Sequence, residues 1–376
     1  MSNKTGNGGN GQVLQRCVSL ANGALSPDQR VNYEFGLVLG VDEFRQEQLY
    51  FLEKDRLHQR SLHGYGTVYG LGVTATRPAD DSDEMMITVE PGLAVDQFGR
   101  TVVVRDEQCA RLGAWLARQL QDGTAPPVEA GVDYRAYVVL SYDECLDALV
   151  PVPGEPCSSS EATQAPSRIR DSFRIELRWQ PPAMTAWDAV RAVADLMATV
   201  RFVPGLAPDL SDEDTIVDLV RALVDPPPMP PCSSELEASP PSGSPPLPEL
   251  LLPLETARAA LDRIFQVWVT EVRPHIHGQV NLTDPGDDAL VESGILLACV
   301  DFAPDAIFSL AAPKIDHATV HDDGRPFLLH TQLMQELLLL GNGGLDEPVC
   351  TFATVQVLGS HELRAWIHHP LPLDIV

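Results

Sequence analysis

Phe173-Arg174-Ile175-Glu176-Leu177-Arg178-Trp179 alternates apolar and charged side chains without a break. Successive side chains of a strand point to opposite faces, so this stretch reads as a strand with one buried and one wet face. Upstream, Tyr134–Tyr142 is almost continuously apolar, the pattern of a central strand covered on both sides. The intervening residues 143–167 read as a long loop that holds Cys145, Val150-Pro-Val-Pro-Gly-Glu-Pro156 and Cys157.

Further towards the N-terminus the pattern stays β-rich. A helix is expected from Asp42, as N-cap, to Leu62, stopped by Gly64 and Gly66. Strands are expected at Thr67–Thr76, Met85–Glu90, Leu93–Asp96 and Thr101–Arg105, with a hairpin turn over Asp96–Gly99. Leu112–Gln121 reads as a short helix. The centre changes period: Trp187, Val190, Ala194 and Met197 recur at helical spacing, and Ser211–Asp214 opens a second helix over Ile216, Val220 and Leu223. Residues 226–253 hold eleven of the 32 prolines, which makes them an extended, semi-rigid spacer. A third helix over Pro253–Val272 is expected to pack Leu261, Ile264, Phe265 and Trp268. Then come a buried strand at Glu292–Phe302, a helix from Pro326 to Leu340 closed by Gly341–Gly344, a hairpin of Thr354–Leu358 with Glu362–His368, and an extended tail from Pro370.

The fold class that follows is α+β and β-rich. The expected parts are a flexible arm at 1–30, a β-rich domain after a long helix at 31–183, a helical region at 184–277 with the Pro-rich spacer 226–253, and a C-terminal α+β region with an extended tail at 278–376.

Charge narrows the functional classes. The chain carries 26 Lys and Arg against 53 Asp and Glu, a formal net charge of −27. Binding to nucleic acid or to an anionic membrane needs a basic field, so both are excluded as expectations. The longest apolar runs, Gly294–Val300 and Leu337–Leu340, fall far below the roughly 20 residues of a membrane span, so no insertion is expected. The first residues show no apolar secretory core, and the cytoplasm is the expected compartment.

No motif carries enzyme chemistry. Gly64-Tyr-Gly66-Thr-Val-Tyr-Gly70 follows a helix and precedes a strand, the reverse of a phosphate loop, and reads as a tight turn. His58 and His63, at i and i+5, do not share a face of an α-helix. His275 and His277 would point the same way only if extended, His317 and His321 would stack only in a helix, and the adjacent His368 and His369 cannot share a strand face. The runs Asp80–Glu84 and Asp212–Asp214 read as a solvated turn and a helix N-terminus. No catalytic, cofactor-binding or metal residue is assigned, and no cofactor is expected. Cys145 and Cys157 bracket the proline-stiffened loop and are either a disulfide, half of a metal clip, or two reduced thiols.

Three stretches together carry a resemblance: Val31-Asn-Tyr-Glu-Phe-Gly-Leu-Val-Leu-Gly-Val-Asp-Glu-Phe-Arg-Gln-Glu-Gln48, Leu62-His-Gly-Tyr-Gly-Thr-Val-Tyr-Gly-Leu-Gly-Val73 and Pro91-Gly-Leu-Ala-Val-Asp-Gln-Phe-Gly-Arg100. Val150–Cys157, Pro166–Arg174 and Gly324-Arg-Pro-Phe-Leu-Leu-His330 extend it. In these, over residues 31–180 and again towards 290–376, the chain resembles structural, baseplate-associated proteins encoded with phage tail-like contractile injection systems of actinobacteria and relatives. The resemblance implies a non-enzymatic particle component, baseplate- or fibre-associated, whose partners are other subunits of the assembly. Self-association stays open. The alternatives are a metal-assisted hydrolase using the scattered His and Asp residues, and an adhesion or carbohydrate-binding module.

Overall fold

The computed structural model describes residues 25–77, 84–151, 164–226, 232, 249–278, 294–304, 313–331, 333, 354–358 and 362–366. The chain divides into two compact units, residues 1–55 and 56–376.

In the first unit, residues 26–33 lie along helix α1 (Val41–His58), which continues past the unit's end. The tie is polar. Gln46 accepts from the Ser26 amide at 2.8 Å and donates to the Ser26 and Gln29 carbonyls. Lys54 pairs with Asp28 at 3.3 Å, and the Tyr33 hydroxyl donates to Glu47. A turn, Leu37 N to Glu34 O, reverses the chain around Gly36 at φ +90°. The helix starts one residue before the expected cap: Glu43 reaches back to the Gly40 amide at 2.6 Å, so Asp42 sits in the first turn, where its charge suits the helix dipole.

The second unit is built on three sheets. Strands β1 (Gly66–Gly70), β4 (Gly92–Val95) and β5 (Thr101–Val104) form one antiparallel sheet in the order β1-β4-β5. Strands β2 (Val73–Thr76), β3 (Met86–Val89) and β6 (Gln108–Arg111) form another. The single strand expected over 67–76 is therefore two strands in two sheets. The break is at Leu71, which takes φ +58°, a backbone conformation that ends a strand. The Asp96–Gly99 turn is as expected: the Asp96 carboxylate accepts from the Phe98 and Arg100 amides at 2.9 and 2.8 Å and from the Arg100 guanidinium at 2.6 Å. Helix α2 (Leu112–Asp122) follows and ends on Gly123 in the left-handed region.

The third sheet has the order β12-β11-β7-β8, all antiparallel, from β7 (Tyr134–Pro151), β8 (Gln164–Arg178), β11 (Ile295–Pro304) and β12 (Ile315–His321). Here the loop expected over 143–167 is corrected. β7 runs on to Pro151 and β8 begins at Gln164, with Cys145 opposite Arg170 and Leu146 opposite Ile169. These residues are held by their backbone pairing, with Arg170 and Asp147 linked at 3.6 Å, and neither segment alternates apolar and polar side chains regularly, which is why periodicity alone does not reveal them. β11 is the central strand and is buried on both faces from Ile295 to Val300.

One face of this sheet packs the main core. Ala136, Val138 and Leu140 of β7 and Ala298, Val300 and Phe302 of β11 meet Ile87 and Val89 of β3, Val102 and Val104 of β5, and Leu112 and Leu116 of α2. Burying each of the larger of these side chains is worth about 1.5–3 kcal/mol. A second core joins α3 (Thr185–Ala198), β9 (Val200–Val203), α4 (Glu213–Ala222), β10 (Leu250–Pro253), α5 (Ala257–Val267) and α6 (Arg273–Gly278), with β9 and β10 parallel. Phe265 does not join it. The inward stripe is Ala257, Ala260, Ile264 and Val267, and Phe265 points to solvent because it lies about 100° round the helix from Ile264.

The helix expected to start at Pro326 is also corrected. Pro326–Leu328 is extended and pairs with β1: Thr67 N donates to Pro326 O at 2.8 Å and Leu328 N to Thr67 O at 2.9 Å. Helical backbone is described only at residues 331 and 333. Strands β13 (Thr354–Leu358) and β14 (Glu362–Trp366) form the expected hairpin. Residues 1–24, most of 226–253, Gly341–Gly344 and the tail from Pro370 lie outside the described residues.

Candidate functional site

The glycine-rich stretch that superficially suggests a nucleotide loop is a junction of chain segments. A Cβ on Gly66 would stand 2.6 Å from Pro326 O, and one on Gly70 would stand 2.2 Å from Pro91 O. Both glycines have positive φ, at +134° and +67°. Arg325 locks this junction from inside. Its Nε donates to Leu297 O at 2.6 Å and its Nη1 to Gly70 O at 3.4 Å, and burial pulls its pKa below the ordinary value. The stretches 62–73, 91–100 and 324–330, far apart in sequence, thus meet around β1. Next to them the Tyr65 hydroxyl is buried, and burial, followed by the charge of Asp188, drives its pKa well up.

His58 and His63 overturn the expectation that they face apart. Their rings stack, with centroids 5.5 Å apart and planes 17° from parallel. The cause is a π-helical turn over Gln59–His63, closed by Gly64 N donating to Gln59 O at 3.1 Å. Such a turn bonds residues five apart and so brings i and i+5 onto one face. His275 and His277 lie in α6, where two residues apart are not neighbours. His317 and His321 lie on β12, on the same face with Thr319 between them, and His317 Nε2 is 3.1 Å from Thr319 Oγ1. His368 and His369 lie outside the described residues. Among the described residues, no group of three His, Cys, Asp or Glu could hold a metal ion.

The carboxylate runs are accounted for by neighbours. Glu213 and Asp214 share Arg263 at 2.9 and 3.0 Å, Asp212 accepts from the Leu251 amide at 2.7 Å, and Glu84 pairs with Arg111 at 3.1 Å. Asp80–Asp83 lie outside the described residues. Cys145 carries a thiol whose sulfur lies 3.7 Å from Arg170 O, and Cys157 lies outside the described residues.

The residues that sequence reasoning missed lie on the far face of the β12-β11-β7-β8 sheet. Cys299 is disulfide-bonded to Cys232, which stands within the proline-rich stretch, and the pair packs with Met184, Leu296, Tyr137 and Trp187. Beside it Arg135 grips Asp301 through two bonds of 2.6 and 2.8 Å and reaches Cys232 O at 3.3 Å. His321 Nε2 is 3.2 Å from the second Asp301 oxygen. Cross-strand register makes this cluster, since Asp301 stands opposite Arg135, and Cys299 opposite His321. The only hint in the sequence is one acid and one cysteine, Asp301 and Cys299, within an otherwise apolar strand. Chemically the cluster is a tie: the guanidinium saturates the carboxylate and stitches β7, β11 and the proline-rich segment together.

At the edge of the main core, Trp115, Tyr134, Trp179 and Phe302 form a ring cluster with centroids 4.8–6.5 Å apart. Tyr134 and Trp179 also line an open cavity of about 530 Å³ with Thr124, Asp133, Arg135 and Gln180.

Two surfaces expose several large apolar side chains close together in sequence or across a strand pair. The distal half of the β7–β8 hairpin presents Leu146, Leu149 and Ile169, each two-thirds exposed or more. At its base Tyr142 donates to Glu144 or Asp171 at 2.8 and 2.7 Å, and burial together with these carboxylates raises its pKa. In the first unit, the turn and the entry to α1 expose Phe35, Leu37, Val38, Leu39, Val41 and Phe44, with Phe35 wholly in solvent. Single exposed apolar side chains are ordinary, but clusters of this kind mark contact sites.

Comparison with protein-family models and with curated proteins gave no match. The class defined by the fold is an α+β protein with its sheets packed on a shared core. No helix among the described residues is long and apolar enough to cross a membrane.

Proposed function

We propose that this chain is a non-enzymatic structural component of a phage tail-like contractile injection particle, associated with its baseplate or fibre attachment. The observation that carries this reading is the β7–β8 arm, an antiparallel ladder bearing Leu146, Leu149 and Ile169 towards solvent. Exposed apolar clusters carry a solubility cost in a free protein and are useful where a neighbour covers them. The resemblance of residues 31–180 to baseplate-associated proteins supplies the kind of assembly. In this reading the chain remains soluble in the cytoplasm through its −27 charge until it meets its neighbours. The Cys232–Cys299 disulfide would form once the particle reaches an oxidising environment.

The test is direct. Sheath-containing particles purified from the source and analysed by mass spectrometry should contain this chain in a fixed ratio to the sheath protein. Absence from particles, with abundant free chain in the soluble fraction, would overturn the proposal.

A second reading, an adhesion or carbohydrate-binding module, draws on the open cavity at Tyr134 and Trp179. Aromatic ring faces flanked by polar side chains suit sugar rings. Retention on immobilised polysaccharide that is lost in Trp179→Ala would favour it, and passage through such columns would remove it.

A further inference from the structure

The Cys232–Cys299 bond joins two segments 67 residues apart in sequence and lies out of reach of solvent. Cys299 is 0% exposed and Cys232 2% exposed. Cys299 belongs to β11, which has neighbours on both sides in its sheet, and Leu296, Tyr137, Met184 and Trp187 pack around the pair. The Cys232 sulfur lies 3.6 Å from His321 O of β12, and the Cys232 carbonyl accepts from Arg135 Nη1 at 3.3 Å. Arg135 is itself clamped to Asp301 by two bonds of 2.6 and 2.8 Å. The half-cystine from the proline-rich stretch is therefore pinned through its backbone as well as its sulfur. Thiol–disulfide exchange requires a thiolate to reach one sulfur of the bond, and the folded chain leaves neither sulfur open to such an attack.

The fold also shifts the equilibrium. A cross-link stabilises the fold by shrinking the unfolded ensemble, and by reciprocity the fold stabilises the cross-link to the same extent. For a separation of 67 residues, the closed bond is favoured about a thousandfold in the folded chain relative to the unfolded one.

We propose that the Cys232–Cys299 pair is a one-way redox latch: once closed, it stays closed in the presence of thiol reductants until the chain opens around it, and Arg135 is the positioning residue that sets how often it opens. The reaction withheld is ordinary exchange with a dithiol. One thiolate of the reductant attacks a cystine sulfur, and the other cysteine leaves as a thiolate. The second thiolate of the reductant then displaces the first cysteine. The reductant ends as a cyclic disulfide, and its two protons pass to the two cysteines. A chain that acquires the bond in an oxidising compartment carries it through a later reducing one, with Cys232 still fastened to the sheet. This goes beyond the particle reading and does not depend on it.

Purified full-length chain is first equilibrated with oxidised glutathione, which should yield the linked Cys232–Cys299 peptide in a non-reduced digest. It is then incubated in dithiothreitol without denaturant, and free thiols at the two positions are followed by alkylation and mass spectrometry. The rate should rise with reductant and then level off as opening becomes limiting, at least about a hundredfold below the rate for chain unfolded in urea. Arg135→Met/Asp301→Leu removes the bond to Cys232 O without stranding a charge. It should raise the plateau at least about tenfold beyond what any change in its unfolding rate accounts for. Arg135→Lys, which keeps a charge on Asp301 but loses the fork that reaches both partners, replaces it if the double variant does not fold. A chain that never forms the linked peptide would overturn the proposal. So would a rate that stays proportional to reductant and comes within about tenfold of the unfolded chain. A plateau unchanged in a folded Arg135 variant would overturn the role of Arg135.

Discussion

The Cys232–Cys299 disulfide closes a segment with a sequence separation of 67 residues. In the chain-entropy account such a cross-link removes about 15 cal/mol/K from the unfolded ensemble, about 4 kcal/mol at 25 °C. Both half-cystines are buried among Met184, Leu296, Tyr137 and Trp187, so the folded state holds them whether or not the bond is present. Reduction should therefore act mainly on the unfolded chain. With a urea dependence of about 3 kcal/mol per molar for a chain of this size, the unfolding midpoint should fall by about 1.5 M on reduction. The dependence itself should steepen, because the uncrosslinked chain exposes more surface when unfolded. Urea titrations followed by tryptophan fluorescence, with and without reductant, measure both quantities. The variant Cys232→Ala/Cys299→Ala should reproduce the reduced protein in the absence of reductant. Midpoints coinciding within about 0.2 M would refute the reasoning, as would a non-reduced digest lacking the linked peptide.

Other substitutions probe the junctions. Gly66→Ala places a methyl group against Pro326 O and imposes positive φ on a side chain, which should cost about 2–3 kcal/mol by thermal or chemical unfolding. Unchanged stability would mean that the 326–328 segment does not seat on β1. Asp301→Ala strands the Arg135 guanidinium and should cost about 3 kcal/mol, whereas Arg135→Met/Asp301→Leu should recover most of that loss. Equal losses in the single and double variants would remove the pair as a tie. Tyr65→Phe deletes a buried hydroxyl that lies beside the Trp187 backbone and should change stability by no more than about 1 kcal/mol near pH 7. The folded-state pKa of Tyr65 is raised, so the folded protein keeps this proton after the unfolded chain has lost it. Stability should thus fall as pH rises above about 10, and Tyr65→Phe should lessen that fall. Parallel stability curves from pH 8 to 11 would contradict the assigned burial.

Local pattern made much of the fold legible. The alternation at 173–179 and the apolar run at 134–142 located paired strands, and Asp96–Gly99 and Leu112–Gln121 fell where their turn and helix chemistry placed them. Most of the misses share a cause, since they depend on pairing with other segments of the chain. Residues 143–151 and 164–172 become strands by pairing with each other, and Pro326–Leu328 is extended because β1 offers it hydrogen bonds. Likewise the tie at Arg135, Asp301, His321 and Cys299 exists only once β11 is inserted between β7 and β12. The stacking of His58 and His63 needed a π turn, and nothing in the residues between them marks one.

The insertion of β11 also governs how the chain can become a protein. Its partner β7 ends at Pro151, and β11 begins at Ile295, while β1 waits for residues near Phe327. Contacts of such sequence separation slow folding, because the loop entropy is spent before the contacts repay it. On the ribosome, the apolar faces of β3, β5 and β7 would emerge long before the central strand that covers them. The arrangement predicts a nascent chain dependent on chaperones until more than three hundred residues have left the exit tunnel.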